Sequence, residues 1–359
     1  MKKQIKYITI SFICLFLTGC MSQKNSSMQR TYFGDYAEPK NVSVAWNSLY
    51  AENPSPEVRK FLSYSQDIKK NIYQRGIPYP AKTLSSNWDR NYLRASDKYN
   101  FMRKNGVDCT RFLWHLYAGE MNLPYNSKYK NSAILSHTFA KKQIDQELKN
   151  FVPLKKYKNG FQPRTGDILA FPGHALAVLD PKQCIAIQST SWACEKMTAK
   201  GQCHKGTQGK NAGVVIYKLM NKTDCTNGIW NKLDSQKNKF TAGWRHKALN
   251  TWIEKIPQKT KTNQTITLIG HNISRRYIFF NGNTNPVKTS YALKVFKSSN
   301  GYPLDLVKVT VPKNAISGKI KIYWGNDLKP NITQTVSSKR EIIIENNNKL
   351  LTNNSVQIK

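Results

Sequence analysis

Apolar residues recur at helical spacing in several stretches of the first half of the chain. Val58, Phe61, Leu62, Ile68 and Ile72 form one face of a helix that opens at Ser55-Pro56-Glu57 and stops at Gly76. Phe112, Leu113, Leu116 and Tyr117 repeat the spacing directly after Asp108-Cys109, so Asp108 reads as an N-cap and Cys109 as the first helical residue. Residues 134–148 read as a further amphipathic helix. Residues 80–105, rich in Ser, Asn, Asp, Arg and Tyr, read as a long loop walling a groove. The period then shortens to that of strands at 167–171, 174–179, 184–189 and 213–219. Helices before a sheet predict an α+β domain. From about Thr262 short alternating runs separated by Asn, Gly and Ser predict an all-β sandwich. The chain shows no internal repeats.

This layout places a thiol at a helix start and an imidazole at a strand start. The free N–H groups and dipole of a helix N-terminus favour a negative sulfur at Cys109. His174 follows Phe171-Pro172-Gly173 and opens the second strand. A cysteine activated by a histidine cleaves amides through a covalent intermediate. The competing reading of Cys109 is an inert buried thiol. His115 and His137 read as helix-face residues, His271 as a turn residue.

The flanking residues resemble the NlpC-type cell-wall cysteine peptidases, a papain-like family. Gly76-Ile77-Pro78-Tyr79 is similar to the segment that precedes the family's nucleophile, and Asp108-Cys109-Thr110-Arg111-Phe112 to the nucleophile motif. Pro163-Arg164-Thr165-Gly166-Asp167-Ile168, His174-Ala175-Leu176-Ala177-Val178 and Ile185-Ala186-Ile187-Gln188-Ser189 follow in the family's order. The resemblance spans roughly residues 76–219. It implies Cys109 as nucleophile, His174 as base, Gln188 as the residue that orients the imidazole, and Tyr79 as a group polarising the scissile carbonyl. The Cys109 N–H is a natural oxyanion donor. Arg111 stands where the family usually has glycine, which implies either substrate binding by Asp108 and Arg111, with Arg111 meeting a different substrate carboxylate, or a more occluded site. The implied activity is hydrolysis of amide bonds in peptidoglycan stem peptides, with no cofactor and no metal. The region from Thr262 to Asn346 resembles an immunoglobulin-like IPT/TIG domain, a spacer or binding module.

The N-terminus points to export. A basic start, an apolar core at 7–17 and Leu17-Thr18-Gly19-Cys20 resemble a lipoprotein signal, with Cys20 lipidated; an ordinary secretory signal is the alternative. The resulting division is a signal at 1–19, a tether at 20–53, the peptidase domain at 54–255, the β-sandwich at 262–346 and a tail at 347–359. Lys and Arg total 56 against 21 Asp and Glu, for a net charge of +35 over 359 residues. The lysines are spread along the chain and no nucleic-acid motif accompanies them, so the sequence argues against a nucleic-acid partner. Anionic envelope polymers and a lipid surface suit the charge better, and a solvated surface with no partner suits it equally. Cys184, Cys194, Cys203 and Cys225 predict two disulfides in an exported chain, with Cys194–Cys203 and Cys184–Cys225 the favoured pairing. Zinc held with His204 is the weaker alternative. Three functions remain open at this point: the peptidoglycan hydrolase, a catalytically silent wall-binding lipoprotein, and a secreted effector using the same chemistry.

Overall fold

The computed structural model describes residues 43–53, 55–75, 77–80, 84–141, 143, 145–194, 208–218, 228–231, 239–297, 303–325 and 330–345. The signal, Cys20, most of the tether, Cys203, His204, Cys225 and the tail lie outside the described residues, as does the side chain of Cys194.

The helical layer is built from α1 (Trp46–Glu52), α2 (Pro56–Arg75), α3 (Trp88–Arg94), α4 (Lys98–Asn105), α5 (Cys109–Trp114) and α6 (Ser136–Ala140). Val44 and, in α1, Leu49 are buried in the core. In α2, Pro56 occupies the first turn, where its missing N–H costs nothing, and Val58, Phe61, Leu62 and Ile68 are buried as the periodicity requires.

The 80–105 stretch is largely helical rather than a loop. Trp88 and Tyr92 lie one turn apart in α3, and their rings stack at 5.1 Å. Lys98 Nζ donates to the carbonyls of Tyr92, Leu93 and Ala95 at 2.6–2.8 Å, closing the C-terminus of α3. Asp97 caps α4 by accepting from Asn100 N. These polar residues serve as caps, which is why composition alone read as loop. The 134–148 expectation is also corrected. Only Ser136–Ala140 is α-helical, Gln146–Leu148 is a single 3₁₀ turn, and Asp145 caps that turn. α5 runs directly into a π-helix, His115–Glu120. Such bulges occur mostly at functional or strained positions.

The main sheet has six antiparallel strands: β1 (Phe151–Pro153), β2 (Ile168–Phe171), β3 (His174–Asp180), β4 (Ile185–Cys194), β5 (Gln208–Lys218) and β6 (Ala242–His246), in the order β1-β6-β2-β3-β4-β5. The α5 helix packs on β3 and β4. Ala175 and Ala177 give a small-residue surface beneath it and share the core with Phe112 and Leu113. Asp167 is fully buried and forked by Arg245 at 2.6 and 2.7 Å, which fixes β6 against β2.

The second half holds two four-stranded antiparallel sheets whose apolar residues, among them Leu268, Val307, Ile278 and Ile322, enter the same buried cluster. One sheet takes in Trp252–Lys255, which pairs with Thr265–His271. Trp252 also stacks on His271 across this pair at 3.8 Å. Strand Ile343–Glu345 closes on Lys259–Lys261 in parallel. Among the described residues no helix is long and apolar enough to cross a membrane.

Candidate active site

The segment 77–80 sits between two glycines. Val107 N donates to the Pro78 carbonyl at 3.0 Å, and Val214 N to the Ile77 carbonyl at 2.9 Å. Gly106 has φ +72° and Gly213 φ +88°. A Cβ on Gly213 would lie 2.0 Å from the Ile77 carbonyl oxygen, so the close approach requires glycine there. This double tie holds the segment carrying Tyr79 beside the start of α5. Tyr79 is half-buried, and burial together with the charges of Cys109 and Asp108 pushes its hydroxyl up to about 12.

Cys109 opens α5 and is the free cysteine among the described residues, 5% exposed. Asp108 caps the helix by accepting from Arg111 N at 2.8 Å and from the Thr110 hydroxyl at 3.0 Å. The backbone N–H groups of Ala175, Thr110 and Cys109 itself favour a negative sulfur. They are outweighed. Burial, followed by the adjacent Asp108 charge, pushes the thiol up to about 12. The sequence predicts a helix-stabilised thiolate, and the resting structure instead favours a neutral thiol, because desolvation exceeds the helix-terminal field.

His174 is set at the first position of β3 by the Pro172-Gly173 turn, where Gly173 has φ +95° and Phe171 pairs with His174. Its Nε2 bonds Gln188 Oε1 at 2.7 Å. An amide oxygen only accepts, so Nε2 carries the proton and Nδ1 keeps its lone pair. Gln188 is 2% exposed on β4. The Ala177–Ile187 register puts it opposite Leu176, two positions along from His174. Burial holds the imidazole below its ordinary range, against the opposing effect of Gln188. The resting pair is therefore neutral on both sides. Among the described residues no hydrogen bond joins the sulfur to the imidazole. The nearest link is Ala175, whose N–H reaches Cys109 and which directly follows His174.

Arg111 donates to Asp89 at 2.6 Å and to Asp108 at 2.7 Å, and its guanidinium lies 5.5 Å over the Trp88 ring. Trp88 Nε1 in turn donates to the Gly106 carbonyl at 3.0 Å. Asp108 and Arg111, expected to bind substrate, thus engage each other and α3, and their geometry positions the start of α5.

Two residues of the site were not read from the sequence. The Ser189 hydroxyl donates to the Val107 carbonyl at 2.6 Å. Tyr125 is buried, and burial first, then its neighbours Tyr117, Cys109 and Asp108, hold its hydroxyl well above the ordinary range. Neither received a role from sequence; the position of Ser189 directly after Gln188 on β4 is the signal that could have found it. Cys184 is disulfide-bonded; the favoured pairings fall on side chains outside the described residues. No group of three or more His, Cys, Asp and Glu among the described residues could hold a metal.

The arrangement contains the group types that nucleophilic acyl transfer uses. It has a thiol, an imidazole with a fixed tautomer and convergent N–H donors at a helix start. No family model matches this chain, and no curated protein does.

Proposed function

We propose that the protein is an exported cysteine hydrolase that cuts amide bonds in peptidoglycan stem peptides. The observation that carries this reading is the His174–Gln188 hydrogen bond at 2.7 Å on the strand whose next residue, Ala175, offers its N–H to Cys109. On this reading the Cys109 sulfur attacks the scissile carbonyl as His174 Nδ1 takes the thiol proton. The N–H groups at the start of α5 receive the developing oxyanion, with Tyr79 beside them. Nδ1 then gives the proton to the leaving amine, and water hydrolyses the thioester with the same imidazole as base. The NlpC-like motif order supports a papain-like domain, and the two four-stranded sheets suit an immunoglobulin-like module. The Leu17-Thr18-Gly19-Cys20 sequence supports a lipid anchor in the envelope.

A silent wall-binding lipoprotein is the second reading. The specific observation in its favour is the buried, neutral thiol with no bond to the imidazole. Incubation of purified sacculi with the protein and with Cys109→Ala separates the two. Mass spectrometry of the soluble fragments should show new peptide termini with the parent protein only. Release by the alanine variant, or no release by either, would overturn the hydrolase reading.

A further inference from the structure

Three charged side chains meet at the first turn of α5. Arg111 Nε donates to Asp89 Oδ1 at 2.6 Å, and Nη1 donates to Asp108 Oδ2 at 2.7 Å. The three side chains are only 16–20% exposed, so water screens their charges less than it would on an open surface. Both Asp108 oxygens are engaged, Oδ1 by the Arg111 N–H and the Thr110 hydroxyl, Oδ2 by the guanidinium. The cation is held from α3 as well. Asp89 lies in the first turn of that helix and also accepts from the Ser132 hydroxyl at 3.3 Å, and the Trp88 ring lies 5.5 Å from the guanidinium. Without Arg111, two partly buried carboxylates would lose their common counter-ion.

After burial, the Asp108 carboxylate is what opposes a negative sulfur at Cys109. Among the described residues, the other titratable groups near the thiol carry no charge at neutral pH. Burial raises the Tyr79 and Tyr125 hydroxyls, and burial lowers His174, at the start of the strand packed on α5. We propose that Arg111 is a positioning residue for the nucleophile: it pairs Asp108 and so screens that carboxylate from the Cys109 sulfur, while Asp89 keeps the guanidinium in place. Its effect on turnover rests on the hydrolase reading; its effect on the thiol does not. A purely structural ion pair makes the opposite prediction, because breaking it would loosen α5, expose the sulfur and speed its alkylation.

Iodoacetamide labelling of Cys109 in the full chain tests this, read by peptide mass spectrometry at about pH 8.5 and well below each variant's thermal midpoint. Arg111→Gln should slow labelling about tenfold, matching the thiolate lost when a neighbouring carboxylate goes unpaired. Arg111→Met, which keeps a long unbranched side chain beside Trp88, should slow it likewise. Arg111→Lys restores the charge without the fork and should recover most of the rate. In an Asp108→Asn background, Arg111→Gln should slow labelling less than about twofold, because the charge it screens is gone. Unchanged or faster labelling in either folded neutral variant, no recovery by lysine, or an equal slowing in the Asp108→Asn background would each overturn the proposal. Slowed labelling together with no peptide release from sacculi by the parent would sink the hydrolase reading alone.

Discussion

The Ser189 hydroxyl donates to the Val107 carbonyl at 2.6 Å, tying the strand that orients His174 to the turn that delivers Cys109. Both residues are fully buried. Residues 188 and 189 thus divide two tasks, one holding the imidazole and the other holding the start of α5. Ser189→Ala leaves the Val107 carbonyl without its partner, which should cost about 1–3 kcal/mol. A urea titration should show a lowered midpoint with an unchanged slope. Wall digestion should fall through turnover rather than substrate affinity, because Ser189 reaches Cys109 only through the backbone. An unaltered midpoint would show the tie to be dispensable.

Removal of His174 and of Gln188 should have unequal effects. His174→Ala deletes the base and should cost about 10²–10⁴-fold in turnover. Gln188→Ala leaves the base but frees its tautomer and ring angle, a loss of roughly tenfold to a hundredfold if the bond contributes about 1.5–3 kcal/mol. Gln188→His should recover part of the loss, since a ring nitrogen can accept from Nε2–H. Steady-state rates on soluble muropeptides read these effects. Equal losses from the two alanine variants would assign a proton-transfer part to Gln188.

The site was more legible than its surroundings. Asp108 as cap, Cys109 as first helical residue and His174 at a strand start all follow from local pattern, and local geometry realises them. The protonation state was not legible. The dipole of a helix start and the neighbouring Asp108 charge can be read from sequence, but the burial of Cys109, which outweighs both, is a tertiary fact. The same holds for Arg111. Sequence places a cation near the cleft, and only the packing of α3 brings Asp89 to it. The 80–105 helices were missed because Asn, Asp and Ser were taken as loop formers where they serve as caps and partners. Trp88 and Tyr92 at i, i+4 were the available signal.

The two halves of the chain share buried aromatics. Trp324 packs edge-on to His246 at 5.1 Å, and Trp252 stacks on His271. Truncation after Lys259 removes the strand that pairs with Trp252–Lys255 and uncovers both His246 and Trp252. Large buried side chains contribute about 1.5–3 kcal/mol each, so the truncated protein should melt well below the parent. A red-shifted tryptophan emission should accompany the change. A truncated protein with the parent's melting curve would mean that the first domain folds without this interface.

Acid should destabilise the fold through its buried histidines. Burial holds His115 down to about 3 and His246 down to about 4, against an ordinary value of 6.5. Burial outweighs the attraction of Glu120, whose Oε1 lies 3.3 Å from His115 Nε2, and the Lys98 charge adds to the burial effect. A folded value below the unfolded one means that the unfolded chain takes up more protons as pH falls. Stability is full above about 6.5 and declines below it, by about 2 kcal/mol per ring at pH 5. Urea midpoints at pH 7 and pH 5 measure the loss, and His246→Gln should reduce it. A pH-independent midpoint over that interval would contradict neutral burial of both rings.

The ionisation of Cys109 separates an ion-pair mechanism from one in which imidazole takes the proton during attack. Burial and Asp108 push the thiol up to about 12, and burial holds His174 low, so both effects oppose a resting thiolate–imidazolium pair. Without substrate, alkylation of Cys109 by iodoacetamide should be slow at neutral pH. It should accelerate only above the ordinary cysteine range near 8.5. Asp108→Asn removes the nearby negative charge and should move the inflection downward, even as it weakens the cap on α5. His174→Ala should leave the inflection almost unchanged, because the neutral imidazole makes no bond to the sulfur, yet it should still lower turnover by about 10²–10⁴-fold. Turnover by the parent should persist to pH values below 6.5, since the base stays neutral there, and fall only when Nδ1 is protonated. An alkylation inflection well below 8.5 that disappears in His174→Ala would establish the ion pair instead, and would mean that the thiol and imidazole meet more closely in solution than in the resting geometry described.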